Sequence, residues 1–306
     1  MNILPRQKQI EVIAALCEGV GIRAAARLTG VNRETVGKLA LDIGKACAEL
    51  HDRLMVGVRV ARVELDECWS FVGKKQKRVQ RHEAFAKGDQ YVFIGMAGTQ
   101  KAIISYRVGK RDSDNTDHFI RDLRERVIGV PELSSDGFRP YMPAIRDAFA
   151  GTASHGTIVK TLSVTDLRKD AAHRYSPAAV IAVAREVVSG MPEQISTSFV
   201  EREHLSLRMG SRRLTRLTNG FSKKLDNHVA AVSLYVFHYN FCRVHESLSP
   251  DAKHQTTPAM ALGLIDRPMS IGELLDAALA VVPDAPRPLT PPERRRQLLV
   301  IEGGKQ

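Results

Sequence analysis

Apolar positions recur at helical spacing from the start of the chain. Ile10, Ile13, Leu16 and Cys17 fall on one face of a first helix that Gly19 and Gly21 end. A second helix is predicted over Ile22–Thr29. Gly30 and Val31 then form a turn, and Asn32 caps a third helix that opens Arg33-Glu34-Thr35-Val36 and runs to about Arg53. Ala26, Leu28, Val36 and Leu39 are the expected small core. Short helix, glycine turn and capped helix make a helix-turn-helix pattern, in which the start of the last helix enters the major groove. That nominates Arg33, Thr35 and Lys38 as DNA-facing. The bland reading of the same pattern is a three-helix bundle with no ligand.

The period then changes. Val58, Val60, Val63 and Leu65 are β-formers, predicting a strand that carries Glu64, Asp66 and Glu67 out at its C-terminal end towards Trp69. A basic block follows, with Lys74, Lys75, Lys77, Arg78 and Arg81, which reads most simply as a solvated loop and, as the alternative, as a grip for phosphate. Tyr91–Met96 and Ile103–Tyr106 predict a hairpin around Gly98–Lys101. Asn115–Val127 has helical spacing, and Glu132–Ser135 is a short strand leading into Asp136-Gly137. Tyr141–Phe149 predicts a helix, Thr157–Leu162 another strand, and Ala178–Val188 a further helix. Ser198–Met209 is helical, Asn227–Arg243 is a strongly apolar helix, and a last helix is expected around Ile271–Val281. The plan is mixed α/β. It divides into a helix-turn-helix domain over 1–55, an α/β domain over 56–245, a helical segment over 246–282 and a proline-rich, mobile tail over 283–306.

Composition narrows the function. The chain has 306 residues, 43% of them hydrophobic, enough for a sizeable core, and carries a formal charge of +11. That charge favours a polyanionic partner, foremost nucleic acid. No run reaches the roughly 18 to 20 apolar residues of a membrane span, and the N-terminus lacks a signal-peptide pattern, so a cytoplasmic, nucleoid-associated protein is expected. Cys17, Cys47, Cys68 and Cys242 lie far apart with no C-x-x-C pair, which argues against a zinc ribbon or a disulfide framework. Between Arg208 and Lys224 the basic residues Arg208, Arg212, Arg213, Arg216, Lys223 and Lys224 occur without an acid. Arg208, Arg212 and Arg216 line one face if the helix passes Gly210, and such a strip would neutralise phosphates.

Three acids stand at element boundaries: Asp66, Asp136 and Glu201. Phosphoryl transfer on DNA needs two divalent cations about 3.5 to 4 Å apart, held by carboxylates that reach them from different directions. Each acid also has a dull explanation. Asp136-Gly137 is a common turn pair. Ser198-x-x-Glu201 fits a capping box. Asp66 can pair with Arg59 or Arg62, leaving Glu64 or Glu67 as the functional acid.

Longer blocks resolve this choice. ELDECWSFVG at 64–73, SDGFRPY at 135–141, STSFVEREHLSLRM at 196–209 and RRLTRLTNGFSKKLDNH at 212–228 resemble the signature blocks of bacterial DDE-type insertion-sequence transposases, in particular the insertion-sequence-one family. YNFCRVHESL followed by TTPAMALGL is similar to the C-terminal part of the same proteins. The resemblance covers roughly residues 1–265. It implies an RNase H-like catalytic fold with a mixed five-stranded sheet flanked by helices, and a metal-binding triad of Asp66, Asp136 and Glu201. The implied cofactor is a pair of Mg²⁺ ions, with Mn²⁺ able to substitute. Implied partners are double-stranded DNA, both element ends and target, and further copies of the chain in a homo-oligomer on DNA. The resemblance favours Glu201 over Glu203. Two departures stand out: His204 occupies a position where relatives commonly have Asn, and the zinc-finger segment of longer members is missing ahead of the helix-turn-helix. The rival class is a DNA-binding regulator or domesticated remnant that keeps the fold without the chemistry.

Overall fold

The computed structural model describes residues 4–162, 180–216, 218–251 and 253–281. The proline-rich tail expected beyond Pro283 lies outside them. Helices α1 (Arg6–Cys17), α2 (Ile22–Thr29) and α3 (Arg33–Leu54) follow the sequence pattern. Gly30 takes φ of +70°, a left-handed end that spares α2 the penalty a Cβ would bring, and the Asn32 side chain accepts the Glu34 amide at 2.8 Å. Val12, Ala25, Val31 and Val36 close a small core between these helices. Ala26 and Leu39 pack half-buried against it, but Leu28 does not belong to it. Because α2 turns Ala25 and Thr29 inward, Leu28 projects outward and is 72% exposed.

The second half of α3 enters a different core. Ile43 and Cys47 pack with Ile13 of α1 and with residues of the sheet and of the later helices. At Gly44 the helix passes so close to Ala230 that an added Cβ would lie 2.2 Å from the Ala230 carbonyl oxygen. The turn between α1 and α2 is also pressed against the later chain. A Cβ at Gly19 would meet the Met209 carbonyl at 2.4 Å, and one at Gly21 would meet Arg212 Cγ at 3.2 Å.

The centre is a mixed sheet. In chain order the elements are β1 (Arg62–Val72), β2 (Gly88–Ala97), β3 (Ala102–Gly109), α4 (Ser113–Arg126), β4 (Glu132–Asp136), α5 (Tyr141–Ala148), β5 (His155–Leu162), β6 (Val180–Ser189), α6 (Ser198–Gly210), α7 (Leu225–Phe237), α8 (Pro258–Ala261) and α9 (Ile271–Ala280). The strand order is β3-β2-β1-β4-β5-β6. The β1–β4 and β4–β5 pairs are parallel, and the other pairs are antiparallel. Helices cover both faces. Leu65 and Phe93 pack with Phe119, Leu123 and Tyr141 of α4 and α5. Cys68, Val92 and Ile94 pack with Val200, Leu207, Val232 and Val236 of α6 and α7. Cys17, Cys47 and Cys68 are buried, Cys242 is half-buried, and all four are free thiols. Among the described residues no helix is long and apolar enough to cross a membrane.

Three expectations are corrected. The first strand begins at Arg62, not Val58, and continues past the acids to Val72, because its pairing with β2 runs unbroken from Glu64–Met96 to Val72–Gly88. Val58 makes only an isolated bridge to Val127. The helix expected over 178–188 is strand β6 from Val180 onward, so the sheet has six strands and not five; Val180, Ile181, Val183, Val187 and Val188 are β-branched, and the segment pairs with β5. Residues 178 and 179 lie outside the described set. Helix α6 ends at Gly210, where a Cβ would meet the Tyr235 ring at 2.6 Å, so Arg208, Arg212 and Arg216 do not share one helical face.

Candidate metal centre

Strand register brings the first two acids together. Leu65 pairs with Ser135 across the parallel β1–β4 ladder, so Asp66 and Asp136, the next residue on each strand, leave the sheet side by side. Strand β4 stops at Asp136, and the neighbouring Glu67 carboxylate closes in beside the two. One carboxylate oxygen from each of Asp66, Glu67 and Asp136 lies within 4.8 Å of the others. Glu67 is the most enclosed, its side chain 1% exposed. Its Oε2 accepts Arg111 Nε at 2.8 Å, and its Oε1 has no hydrogen-bond partner among the described residues. The same guanidinium donates to Asp136 Oδ2 at 2.9 Å and lies 4.0 Å over the Phe138 ring. Asp136 Oδ1 accepts the Phe138 amide at 2.9 Å. The aspartate-glycine turn is thus real, and the same carboxylate serves both the turn and the cluster.

The third predicted acid approaches from another element. Glu64 of β1 accepts the amides of Phe199 and Val200 at 2.7 and 3.0 Å and so closes the N-terminus of α6. The helix begins after Thr197, and the predicted capping box on Ser198 is not formed. Glu201, in the first turn, lines a cavity of about 710 Å³ together with Asp66, Asp136, Arg111 and Lys160. Its carboxylate is held by Thr197 Oγ1 at 2.6 Å and by the Lys160 ammonium. It stands in the same cavity as the two aspartates but outside the tight group, whose third member is Glu67. Glu203 points away into the core, where it accepts the Tyr235 hydroxyl at 2.6 Å. Arg62 pairs with Glu132 and Glu193, not with Asp66. His204 Nδ1 lies 3.5 Å from Asp66 Oδ2, and its Nε2 is buried with no partner among the described residues.

Charge in this cluster is under-compensated. Burial, and then the Asp136 charge, push the Asp66 carboxyl up to about 8, against the opposing pull of the Glu67 amide. Burial and Asp136 also raise Glu67, which the Tyr141 hydroxyl and then Arg111 offset in part. His204 is lowered to about 4 by burial and by Arg208, so it stands neutral beside Asp66 and adds no positive charge. Burial pushes Glu201 upward too, but Lys160 and Thr197 outweigh it and hold the group below its ordinary range. Three converging carboxylates therefore face one guanidinium. A buried Glu67 carboxylate beside an uncompensated Asp66 is a feature that a hard divalent cation fits, since such ions take carboxylate oxygens.

The basic residues separate into two groups. Arg208 donates to the carbonyls of Leu214 and Trp69, both at 3.1 Å, and ties the end of α6 to β1. Arg213 donates to Ser222 Oγ at 3.2 Å, half-buried. These two hold the fold. Arg212, Arg216, Lys223 and Lys224 are exposed, as are Arg33, Thr35 and Lys38 at the start of α3.

No protein-family model matches the chain, and no curated protein matches its sequence. The chemistry of the site therefore rests on the residues themselves. Arg111, Lys160 and Thr197 were not singled out by the sequence pattern. Lys160 had a signal: it lies two residues beyond Ile158, which pairs with Asp136, so strand alternation sends it to the face of the acids. Arg111 had none, because its place depends on where β3 ends relative to β1 and β4.

Proposed function

We propose that this chain is a DDE-type transposase that binds the terminal inverted repeats of its element, cleaves DNA strands and joins the freed 3′ ends to target DNA. The observation that carries this reading is the convergence of Asp66 and Asp136 from neighbouring parallel strands at the wall of a cavity that Glu201 lines from another side. The RNase H-like description of the sheet and the helix-turn-helix description of α1–α3 belong to the same proposal, supported by the strand-acid arrangement and by the capped, exposed start of α3.

Asp66, Asp136 and Glu201, with Glu67 beside them, would hold Mg²⁺ or Mn²⁺. When bound, two such ions supply activation of the attacking oxygen and stabilisation of the leaving one. The chain's own residues set up the rest. Arg111 fixes the Asp136 and Glu67 carboxylates, and Glu64 fixes the helix end from which Glu201 projects. Arg212, Arg216, Lys223 and Lys224 offer exposed charge for phosphates, and Arg33, Thr35 and Lys38 sit where base edges are read. Work on two element ends requires a homo-oligomer on double-stranded DNA, which places the protein at the nucleoid.

The test is strand cleavage and joining on a labelled duplex bearing the element's end, in Mg²⁺ or chelator, with the wild type, Asp136→Asn and Glu201→Gln. Mg²⁺-dependent cleavage and joining that both variants lose is the expected result. The Lys160–Glu201 ion pair favours one other reading, a regulator whose third acid is permanently engaged. Tight duplex binding with no cleavage by any of the three proteins overturns the transposase in its favour.

A further inference from the structure

A second cavity, of about 320 Å³, lies farther along β1. Phe71, Gly73, Lys74, Lys75, Lys77, Arg78 and Phe221 line it. Its apolar part is aromatic. The Phe71 and Phe221 rings lie 4.5 Å apart at 34°, and Trp69, on the same face of the strand as Phe71, extends the row with a centroid distance of 5.9 Å. Phe71 and Phe221 are only half-buried. The Gly73 amide donates to the Ser222 carbonyl at 2.8 Å, which holds the strand end and the 221–223 segment together and keeps the two rings in register.

The rim is cationic. Lys74 and Lys87 share Glu83, but Lys75, Lys77 and Arg78 are exposed and enter none of the ion pairs among the described residues. The Lys223 ammonium lies 3.2 Å above the Phe221 ring, on a face where a planar π-system would otherwise stack. A bare phosphate site would need the lysines and no aromatic wall. An acidic peptide would need the charge and no flat rings. Half-buried, mutually tilted rings within a cationic rim match a nucleotide whose base is free of its own duplex, because base faces are hidden inside a paired helix and become available only when the strand is opened.

We infer that this groove binds an unpaired stretch of single-stranded DNA, with a base stacked in the Phe71–Phe221 recess and the adjoining phosphates on Lys75, Lys77 and Arg78. Lys223 covers the Phe221 ring in the free protein and turns to a phosphate when a base takes that place. Phe71 lies five residues beyond Asp66 on β1, about 17 Å along the strand at the usual rise and on its opposite face, so the groove is separate from the acid cluster. This inference rests on the transposase reading for the source of the opened strand. The binding site itself stands on the groove alone.

The chain's one tryptophan, Trp69, is a built-in reporter. Its fluorescence is titrated with a twelve-nucleotide thymidine oligomer in chelator, for the wild type, Phe221→Ala, Phe221→Trp and the triple variant Lys75→Ala, Lys77→Ala, Arg78→Ala. The oligomer is expected to quench Trp69 in the wild type, and Phe221→Ala to bind roughly 10-fold more weakly, the order of one lost base stack. Phe221→Trp keeps the affinity, and the triple variant binds more weakly with a shallower salt dependence. Should Phe221→Ala not fold, Phe221→Leu removes the ring, keeps an apolar plug and carries the same expectation. Unchanged affinity after loss of the ring overturns the inference, as does equal binding of a twelve-pair duplex or displacement of the oligomer by poly-glutamate at matching charge concentration. Chelator removes cleavage from the readout. Failure here leaves Mg²⁺-dependent cleavage of the element end untouched, and failure of that cleavage leaves quenching by the oligomer untouched.

Discussion

The Glu64 carboxylate accepts the Val200 amide at 3.0 Å, and so a side chain of the central strand ends the helix that carries Glu201. The bond joins β1 and α6 across 136 residues of sequence. It is a cap supplied from another element, and it fixes where the third acid enters the cavity. Glu64→Ala is expected to destabilise the protein by about 1–2 kcal/mol, the loss of a charged helix cap. At this chain length that lowers the melting temperature by roughly 1.5–3 °C. Thermal unfolding measures it, and a melting temperature within a degree of wild type would contradict the capping role.

The metal-free protein should lose stability as pH rises. Asp66 is pushed up to about 8 in the folded state, against an ordinary value of 3.8, so the folded chain holds this proton through a range in which the unfolded chain has released it. Its favourable contribution is complete below the unfolded value and is lost as pH rises through about 8. Chemical denaturation in chelator at several pH values is expected to show wild type falling towards pH 8, and Asp66→Asn losing that slope. Mg²⁺ restores wild type at pH 8 and leaves Asp66→Asn unchanged. Parallel stability curves for the two proteins would remove Asp66 as the titrating group.

Acid acts through other residues. His51 and His228 are both lowered to about 4, first by burial, then by Arg126 and Arg213 respectively. His228 bridges Ser70 Oγ and Ser222 Oγ at 3.0 Å each. Both rings are neutral when folded but take up a proton on unfolding below the ordinary histidine value of 6.5, so stability present above that value is lost as pH falls towards 4. His155, His204 and His245 are lowered to about 4 as well. Replacing the bridge with His228→Gln is therefore expected to make this acid limb shallower by one histidine's share while lowering stability at pH 7. An unaltered acid limb would assign it elsewhere.

Lys160 competes for Glu201. Its ammonium pairs with the carboxylate, and Lys160→Met releases it. Mn²⁺ affinity, followed by electron paramagnetic resonance, is expected to rise roughly two- to fivefold, the worth of one exposed ion pair. No change, or a loss, would argue that Glu201 does not reach the cation.

At Gly44 α3 passes directly against the backbone of α7. A Cβ there would lie 2.2 Å from the Ala230 carbonyl oxygen, a backbone atom that cannot rotate away. Gly44→Ala is therefore expected to cost about 1–3 kcal/mol or more by forcing the helices apart, outweighing the better helix propensity of alanine. Adding Ala230→Gly should not rescue it, because the clash is with the main chain. Full rescue in a denaturation experiment would show that the side chain sets the spacing.

What could be read from the sequence is what local chemistry decides. Gly30 and Asn32 announce the end of α2 and the start of α3, and both act as their residue types predict. The limits of β1 could not be read this way, because its ladder to β2 holds Trp69 opposite Tyr91 and carries the strand past three acids that look like a terminus. The segment 180–189 contains alanine, arginine and glutamate that suit a helix, and its pairing with β5 decides for a strand. The same holds at the acids. Asp66 and Asp136 stand out in their motifs. That Glu67 and not Glu201 completes the tight group depends on where β4 stops, and that Arg208 and Arg213 serve the fold depends on carbonyls and hydroxyls supplied by other segments.

The close seating of the α1–α2 turn has a consequence for any attempt to re-target the protein. Gly19 sits where any side chain would strike the Met209 carbonyl, and Gly21 lies against Arg212, both at the end of the helix that bears Glu201. The N-terminal helices are therefore fitted to the sheet-bearing body and not merely tethered to it. A recognition unit grafted from another protein would have to reproduce both glycines and the left-handed bend at Gly19, or it would tilt α6 and shift Glu201 within the cavity. Under the proposed function, changing the DNA sequence recognised is then a matter of altering Arg33, Thr35 and Lys38 in place, not of exchanging the head.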